Sequence, residues 1–305
     1  MFKNLPKSVK IVEVGPRDGL QNEKIVLSTE DKFTYIKKLL DTGLKTVEIT
    51  SFVSPKAIPQ MSDSLDLYKQ VKSLNIKNID MPCLVPNLKG FEDALSSGVS
   101  EIAIFTATSS EFTKKNINVT IDESFQNMKE INFLAKKNNI KVRGYISTAF
   151  GCPYKGHMSA QSLVEVVKRF KDFDLDELSI GDTIGVATPS QVNSYLKEVL
   201  NIYDREKIAM HFHDTRGMAL GNILVSLEQN ITIFDASSGG LGGCPYAKGA
   251  TGNVATEDLI YLLDSLGISH GVDFKKLVEA SSFILGVTGK QTPSKYLTAY
   301  LKSLE

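Results

Sequence analysis

Two histidines set two residues apart, His211 and His213, are the most concentrated metal-binding chemistry in a 305-residue chain that holds four histidines in all. They end the apolar run KIAMHFHD (207–214), and side chains at i and i+2 of a strand project to the same face. Two imidazoles on one face can grip one ion; the alternative is a pair of hydrogen-bonded core histidines. Asp18, just after the run KIVEV (10–14), supplies an acid at the same rim and favours the ion. Two imidazoles and a carboxylate suit Zn²⁺, Fe²⁺, Mn²⁺ or Mg²⁺ by ligand type. An added amide oxygen from Asn253, with positions left open for water or substrate, narrows the expectation to a six-coordinate Mg²⁺ or Mn²⁺.

Arg17 precedes Asp18, and a planar guanidinium beside a metal could hold a carbonyl or enolate oxygen. Glu48 and Asp182 lie within or at the end of apolar runs. Pointing inward they would be buried charges, which are seldom kept unpaired. Both a structural ion pair and a direct role in chemistry fit them. Gly-Cys-Pro-Tyr occurs twice, around Cys152 and Cys244, and a thiol can donate a proton or act as a nucleophile. Spacing leaves the two tied. Glycines at 239, 240, 242, 243, 249 and 252 surround Cys244, giving its segment the freedom a moving loop needs. Cys152 has fewer and reads as a fixed wall, and Cys83, inside a strand pattern, as a packing residue.

These residues need a frame that brings distant segments together. Short apolar, β-branched runs at 10–14, 46–50, 79–85, 101–107, 141–147, 177–182, 207–214 and 231–237 alternate with amphipathic stretches. Ser28-Thr29 opens a helix that ends by Gly43, with Phe33, Ile36, Leu39 and Leu40 on one face. Ser62-Asp63 opens the next, Asp122-Glu123 precedes a long one reaching about Asn138, and Thr188-Pro189 places proline just inside a helix start. Eight strands alternating with helices predict an α/β architecture, a parallel (β/α)8 TIM barrel over about 9–267. No GxGxxG turn follows the first strand, which counts against an open dinucleotide-binding sheet. Helix patterns at about 268–305 form a C-terminal extension of the same unit. Catalytic groups of such barrels sit at the C-terminal ends of the strands, where Arg17, Asp18, Asp182, His211, His213 and the glycine-rich segment all fall.

Composition removes other classes. Lysine plus arginine equals aspartate plus glutamate at 35 each, so no basic excess exists to neutralise nucleic-acid phosphates. Three scattered cysteines form neither a disulfide framework nor a CxxC zinc pair. No apolar run reaches the roughly 18 residues of a membrane span, and the first residues carry neither a secretory nor a transit pattern. The expectation is a cytoplasmic enzyme with a small-molecule substrate.

Six segments carry a resemblance. Glu13-Val-Gly-Pro-Arg-Asp-Gly-Leu-Gln-Asn-Glu23, Ser51-Phe-Val-Ser-Pro55, Gly181-Asp-Thr-Ile-Gly185, His211-Phe-His-Asp-Thr-Arg216, Gly239-Gly-Leu-Gly-Gly-Cys-Pro-Tyr-Ala247 and Gly252-Asn-Val-Ala-Thr-Glu-Asp258 closely resemble hydroxymethylglutaryl-CoA lyases. The cysteine segment is the specific part, since Arg-Asp-Gly and His-x-His also occur in related barrels that condense acyl-CoA with keto acids. The resemblance implies cleavage of 3-hydroxy-3-methylglutaryl-CoA to acetyl-CoA and acetoacetate, chemistry of leucine degradation and ketone-body formation. It implies a divalent cation on Asp18, His211, His213 and Asn253, with Arg17 facing the substrate carbonyl and Cys244 as the catalytic thiol. Glu48, Asp182 and Glu257 would support the site, Glu48 in catalysis and Asp182 toward substrate. A homodimer or higher homo-oligomer is expected. Lyases for other branched 3-hydroxyacyl-CoA thioesters would share these motifs, whereas an inactive scaffold would need none of them.

Overall fold

The computed structural model describes residues 5–243 and 252–305. Its strands are β1 (Lys10–Glu13), β2 (Thr46–Val47), β3 (Thr50–Ser51), β4 (Cys83–Leu84), β5 (Glu101–Ala107), β6 (Lys141–Ser147), β7 (Gly151–Cys152), β8 (Gly156–His157), β9 (Glu177–Asp182), β10 (Ile208–Phe212) and β11 (Ile233–Ala236). Apart from the small β7–β8 hairpin they form one sheet, in the order β2-β1-β11-β10-β9-β6-β5-β4-β3, with every pairing parallel.

The two ends of that order belong to one stretch of chain. Residues 46–47 pair with β1, and residues 50–51 pair with β4. Between them, the Glu48 amide donates to the Glu13 carbonyl (2.9 Å) and the Ile49 amide to the Pro82 carbonyl (3.0 Å). A single strand over 46–51 is therefore bonded on both sides and closes the sheet. Nine ladder segments with two in one strand make eight, the closed parallel barrel that the alternation predicts.

The helices are α1 (Thr29–Leu40), α2 (Ser64–Ser73), α3 (Leu88–Ser97), α4 (Ser110–Ile117), α5 (Ile121–Lys137), α6 (Ala160–Phe170), α7 (Pro189–Leu200), α8 (Ala219–Glu228), α9 (Thr256–Ser265), α10 (Phe274–Thr288) and α11 (Lys295–Lys302). Local chemistry sets their ends. Ser28 caps α1 through the Asp31 amide, and Thr120 and Thr188 form reciprocal capping boxes with Glu123 and Gln191. Such caps satisfy amides that a helix start leaves unpaired, at roughly 1 kcal/mol each. The apolar faces then pack on the strands: Tyr35, Ile36 and Leu39 of α1 are fully buried in a cluster running from Val9 to Leu297.

Two expectations need correction. The run 79–85 pairs fully only at Cys83–Leu84, with one further bridge at Asp80, because Pro82 has no N–H to donate. His213 lies just past β10, in an isolated antiparallel bridge with Asn253. That bridge carries Asn253 to the rim, and Gly252 makes it feasible: a Cβ there would sit 2.6 Å from the Gly240 carbonyl oxygen.

Candidate metal and substrate site

β1 ends in a single π-type turn, Gly15–Gly19, in which the Gly19 amide reaches the Val14 carbonyl at 3.1 Å. Such turns recur at functional positions because they re-aim side chains without ending the backbone bonding. This one aims Arg17 and Asp18 over the barrel mouth. Arg17 donates through Nε to Glu48 Oε2 (2.8 Å) and through a terminal nitrogen to Asp18 Oδ1 (2.7 Å). Its second terminal nitrogen lies 2.7 Å from the same Glu48 oxygen. Glu48 comes from the strand that closes the barrel and is fully buried. Burial raises its carboxyl above the ordinary value, against the pull of Arg17.

Asp18, His211 and His213 each present a ligand atom, and the three atoms lie within 4.8 Å of one another. Burial would raise the Asp18 carboxyl, but Arg17 and the two imidazoles hold it at about 2, so it is a carboxylate. Burial, helped by its neighbour His211, lowers His213 to about 4 and keeps that ring neutral. The two Nε2 atoms face each other at 3.2 Å. Asn253 completes the group. Its Nδ2 donates to Asp18 Oδ2 (2.9 Å) and to the Leu241 carbonyl (3.1 Å). Both partners are acceptors, which fixes the amide orientation and leaves Asn253 Oδ1 turned away from them.

That oxygen is buried and unpaired. Among the described residues ten buried side-chain polar atoms lack a partner, and five belong to the rim: Gln21 Oε1, Glu48 Oε1, Ser51 Oγ, His213 Nδ1 and Asn253 Oδ1. Buried polar groups are normally satisfied, so their concentration here marks a place built for something else to bind. A carboxylate, two imidazoles and an amide oxygen form the donor set of a divalent cation with hard, borderline preferences. The residues fit such an ion.

The rim opens into a cavity of about 390 Å³, lined on its polar side by Arg17, Asp18, Gln21, Ser51, His211 and His213, and on its apolar side by Val53, Leu84, Phe105, Phe112 and Tyr145. Asp182 is not among the lining residues. Its oxygens accept from the Val186 and Ala187 amides at 2.9 Å each, holding the loop after β9, and burial pushes its carboxyl up to about 6. Glu257 also works on backbone: both oxygens accept from the Gly239 amide at 3.0 Å, and Ser281 bonds one of them. Glu13 holds the neighbouring Ser238 amide (2.9 Å). Two buried carboxyls thus brace the turn after β11.

Cys244 lies outside the described residues; Gly243, the last before it, accepts a hydrogen bond from Asn22 Nδ2 at 3.1 Å. Cys152 is buried in β7, with Sγ 3.0 Å from Ser109 Oγ, among Ala107, Phe112 and Met158. Motif reading missed Glu13, Arg143, Tyr145 and Asp235. Arg143 and Asp235 pair in the buried interior, with Asp235 also against His211, and a charged residue inside each of the runs 141–147 and 231–237 is their one signal. Tyr145 lies beneath two guanidinium groups, 5.4 Å from Arg17 and 4.7 Å from Arg143.

Fold and site together define a parallel α/β barrel with a candidate divalent-metal centre at its C-terminal rim. Residues 8–284 match the HMGL-like family, and the chain belongs to that family. It is 50% identical over 298 residues to the human mitochondrial hydroxymethylglutaryl-CoA lyase, covering 98% of this chain and 91% of that one. It is 47% identical over 302 residues to the cytoplasmic 3-hydroxy-3-methylglutaryl-CoA lyase of Rattus norvegicus, covering 99% and 88%. The crystal structure of hydroxymethylglutaryl-CoA lyase from Pseudomonas aeruginosa superposes with a TM-score of 0.95 at 45% identity, over 99% of this chain and 100% of that one.

Proposed function

We propose that this chain is a carbon–carbon lyase that cleaves 3-hydroxy-3-methylglutaryl-CoA to acetyl-CoA and acetoacetate. The observation that carries the reading is the convergence of Asp18, His211 and His213 beside the Arg17–Glu48 pair, over one cavity. Similarity to lyases of that name over nearly the whole chain supports the substrate. Asp18, His211, His213 and Asn253 would hold Mg²⁺ or Mn²⁺. The ion supplies Lewis acidity toward the oxygens of the substrate.

Cleavage breaks the C2–C3 bond of the substrate. The proton of the 3-hydroxyl leaves to a base, C3 becomes the ketone of acetoacetate, and the bonding pair passes into the thioester as an enolate. Asp18, a carboxylate with two oxygens at the rim, is the group able to take that proton. Arg17 stabilises the enolate oxygen, and it is already oriented for this by Glu48 and Asp18, so little reorganisation is required when charge develops. Its side chain is nearly buried, where a fixed charge acts more strongly than in water. C2 then takes up a proton. On the resemblance of its segment, Cys244 is assigned that delivery. The β7 wall behind Cys152, Asp182 and Glu257 keep the surrounding loops in place.

Supplying the purified chain with 3-hydroxy-3-methylglutaryl-CoA and Mg²⁺ or Mn²⁺ should yield acetoacetate and acetyl-CoA in equal amounts. A panel of other branched 3-hydroxyacyl-CoA thioesters should be cleaved more slowly. Products from another thioester alone would move the assignment to a different lyase of the same family. A cytoplasmic location and a homodimer or larger homo-oligomer complete the proposal, checked by fractionation and sedimentation.

A further inference from the structure

Beneath the rim, charged side chains form a continuous chain of contacts from the strand starts to His211. At the floor Lys10 pairs with Glu177, and Glu177 accepts from Arg143 Nε at 3.0 Å. Arg143 rises from there and clamps Asp235, with one terminal nitrogen 2.6 Å from Oδ1 and the other 3.3 Å from Oδ2. Asp235 Oδ2 also accepts from Ser179 Oγ at 2.8 Å and faces His211 Nδ1 at 3.2 Å. The side chains of Arg143 and Asp235 are both fully excluded from solvent.

A carboxylate clamped this way has acceptors only. His211 Nδ1 must therefore carry the hydrogen of that contact, and in the neutral ring the lone pair then lies on Nε2, the atom that faces His213. From this geometry we infer that Asp235 is a positioning residue for the cation site. It fixes the tautomer and tilt of His211, with Arg143 as the strut that holds Asp235 in place. A metal-bound imidazole gains basicity and orientation from such a partner. The distribution of charge supports the assignment, since Asp235 has more partners than neutralising Arg143 requires.

The inference rests on reading Asp18, His211 and His213 as a cation site, so Mn²⁺ binding to the wild-type protein is measured first, by electron paramagnetic resonance. No binding there overturns the metal reading and this inference with it. Asp235→Asn should weaken Mn²⁺ binding roughly 10–100-fold, the usual cost of losing such a partner. Glu177→Gln, which removes the charge at the far end of Arg143 but keeps an acceptor for Nε and leaves the clamp on Asp235 intact, should lower thermal stability and leave Mn²⁺ affinity within about twofold. Wild-type binding matched by folded Asp235→Asn overturns the inference alone, as does an equal loss in both variants. If Asp235→Asn does not fold, ¹⁵N–¹H correlation spectra of the metal-free wild-type protein at alkaline pH decide. They should show His211 with its hydrogen on Nδ1, assigned by signal loss in His211→Asn. Hydrogen on Nε2 overturns the inference.

Discussion

The two ends of the barrel use the same residue types to opposite effect. At the floor, Lys10 meets Glu177, Lys141 meets Asp80 at 2.8 Å, and Arg143 meets Glu177. These charges pair off at the N-terminal ends of the strands, Arg143 with Glu177 between neighbours and the other two pairs across intervening strands. At the rim, Arg17, Glu48, Asp18, His211, His213 and Asn253 form an equally dense cluster, yet it leaves Glu48 Oε1, His213 Nδ1 and Asn253 Oδ1 buried without partners. A buried donor or acceptor left unpaired costs roughly 1–3 kcal/mol. The floor has one such atom among its charged groups, Glu101 Oε2; the rim concentrates several of them around one cavity, and a bound cation and substrate would relieve that cost. Linkage then requires the folded protein to gain stability as the site fills.

The sharpest way to break the contrast is to remove a ligand. His213→Ala should reduce turnover to background at Mg²⁺ concentrations that saturate the wild-type chain, while circular dichroism shows it folded. Full activity after exhaustive chelation, with no metal found by elemental analysis, would end the reading of the rim as a metal site. Chelation should also lower the melting temperature of the wild-type protein and leave that of His213→Ala nearly unchanged.

The two Gly-Cys-Pro-Tyr segments come next. Cys244→Ser should cut kcat by roughly 10²–10⁴-fold, the range for losing a positioned proton donor. Cys152→Ser should cost far less and act through packing, because its thiol is buried against Ser109 and Met158. Alkylation should inactivate through Cys244, with saturating substrate protecting. Normal turnover by Cys244→Ser beside a dead Cys152→Ser would reverse the assignment.

Arg17→Gln should lower kcat by roughly 10²–10³-fold, as for losing an oxyanion donor, and change KM much less, since its charge matters most when the enolate forms. A change confined to KM would make Arg17 a binding residue only.

Why some of this was legible in the sequence follows from distance along the chain. The barrel strands are short apolar, β-branched runs, and those at 101–107, 141–147 and 177–182 match the observed spans residue for residue. Run 79–85 failed at Pro82, a loss of one donor that hydropathy does not register. Helix α4 and the β7–β8 hairpin are short additions with no repeat to betray them. At the site, His211 and His213 could be paired from their spacing, and Asp18 from its place after a strand. The Asn253–Asp18 bond spans 235 residues and the Arg143–Asp235 bond 92. Contacts of that kind are created by barrel closure, and no local pattern encodes them. Asp182 shows the converse: position put it at the rim, but its carboxyl accepts from two backbone amides four and five residues ahead.

The smallest expected effect belongs to the floor and tests whether its charges are structural alone. Glu101, at the start of β5, keeps Oε2 unpaired, and burial lifts its carboxyl to about 7, with Asp80 and Glu177 pushing the same way and Lys10 and Arg143 opposing. In the unfolded chain this group ionises near its ordinary value of 4.5. Between 4.5 and about 7 the folded state thus binds the extra proton, so its contribution to stability falls as pH rises through that window. Glu13 and Glu257, also raised to about 7, act with the same sign, and they remain in a Glu101 variant. Comparing Glu101→Gln with wild type therefore isolates one group. The variant should match wild type near pH 4.5 and exceed it above about 7, by on the order of 1 kcal/mol, or 2–4 °C in Tm. Its kcat and Mn²⁺ affinity should not change. A loss of turnover with stability unchanged would mean that the floor communicates with the rim, and the division between the two ends would have to be abandoned.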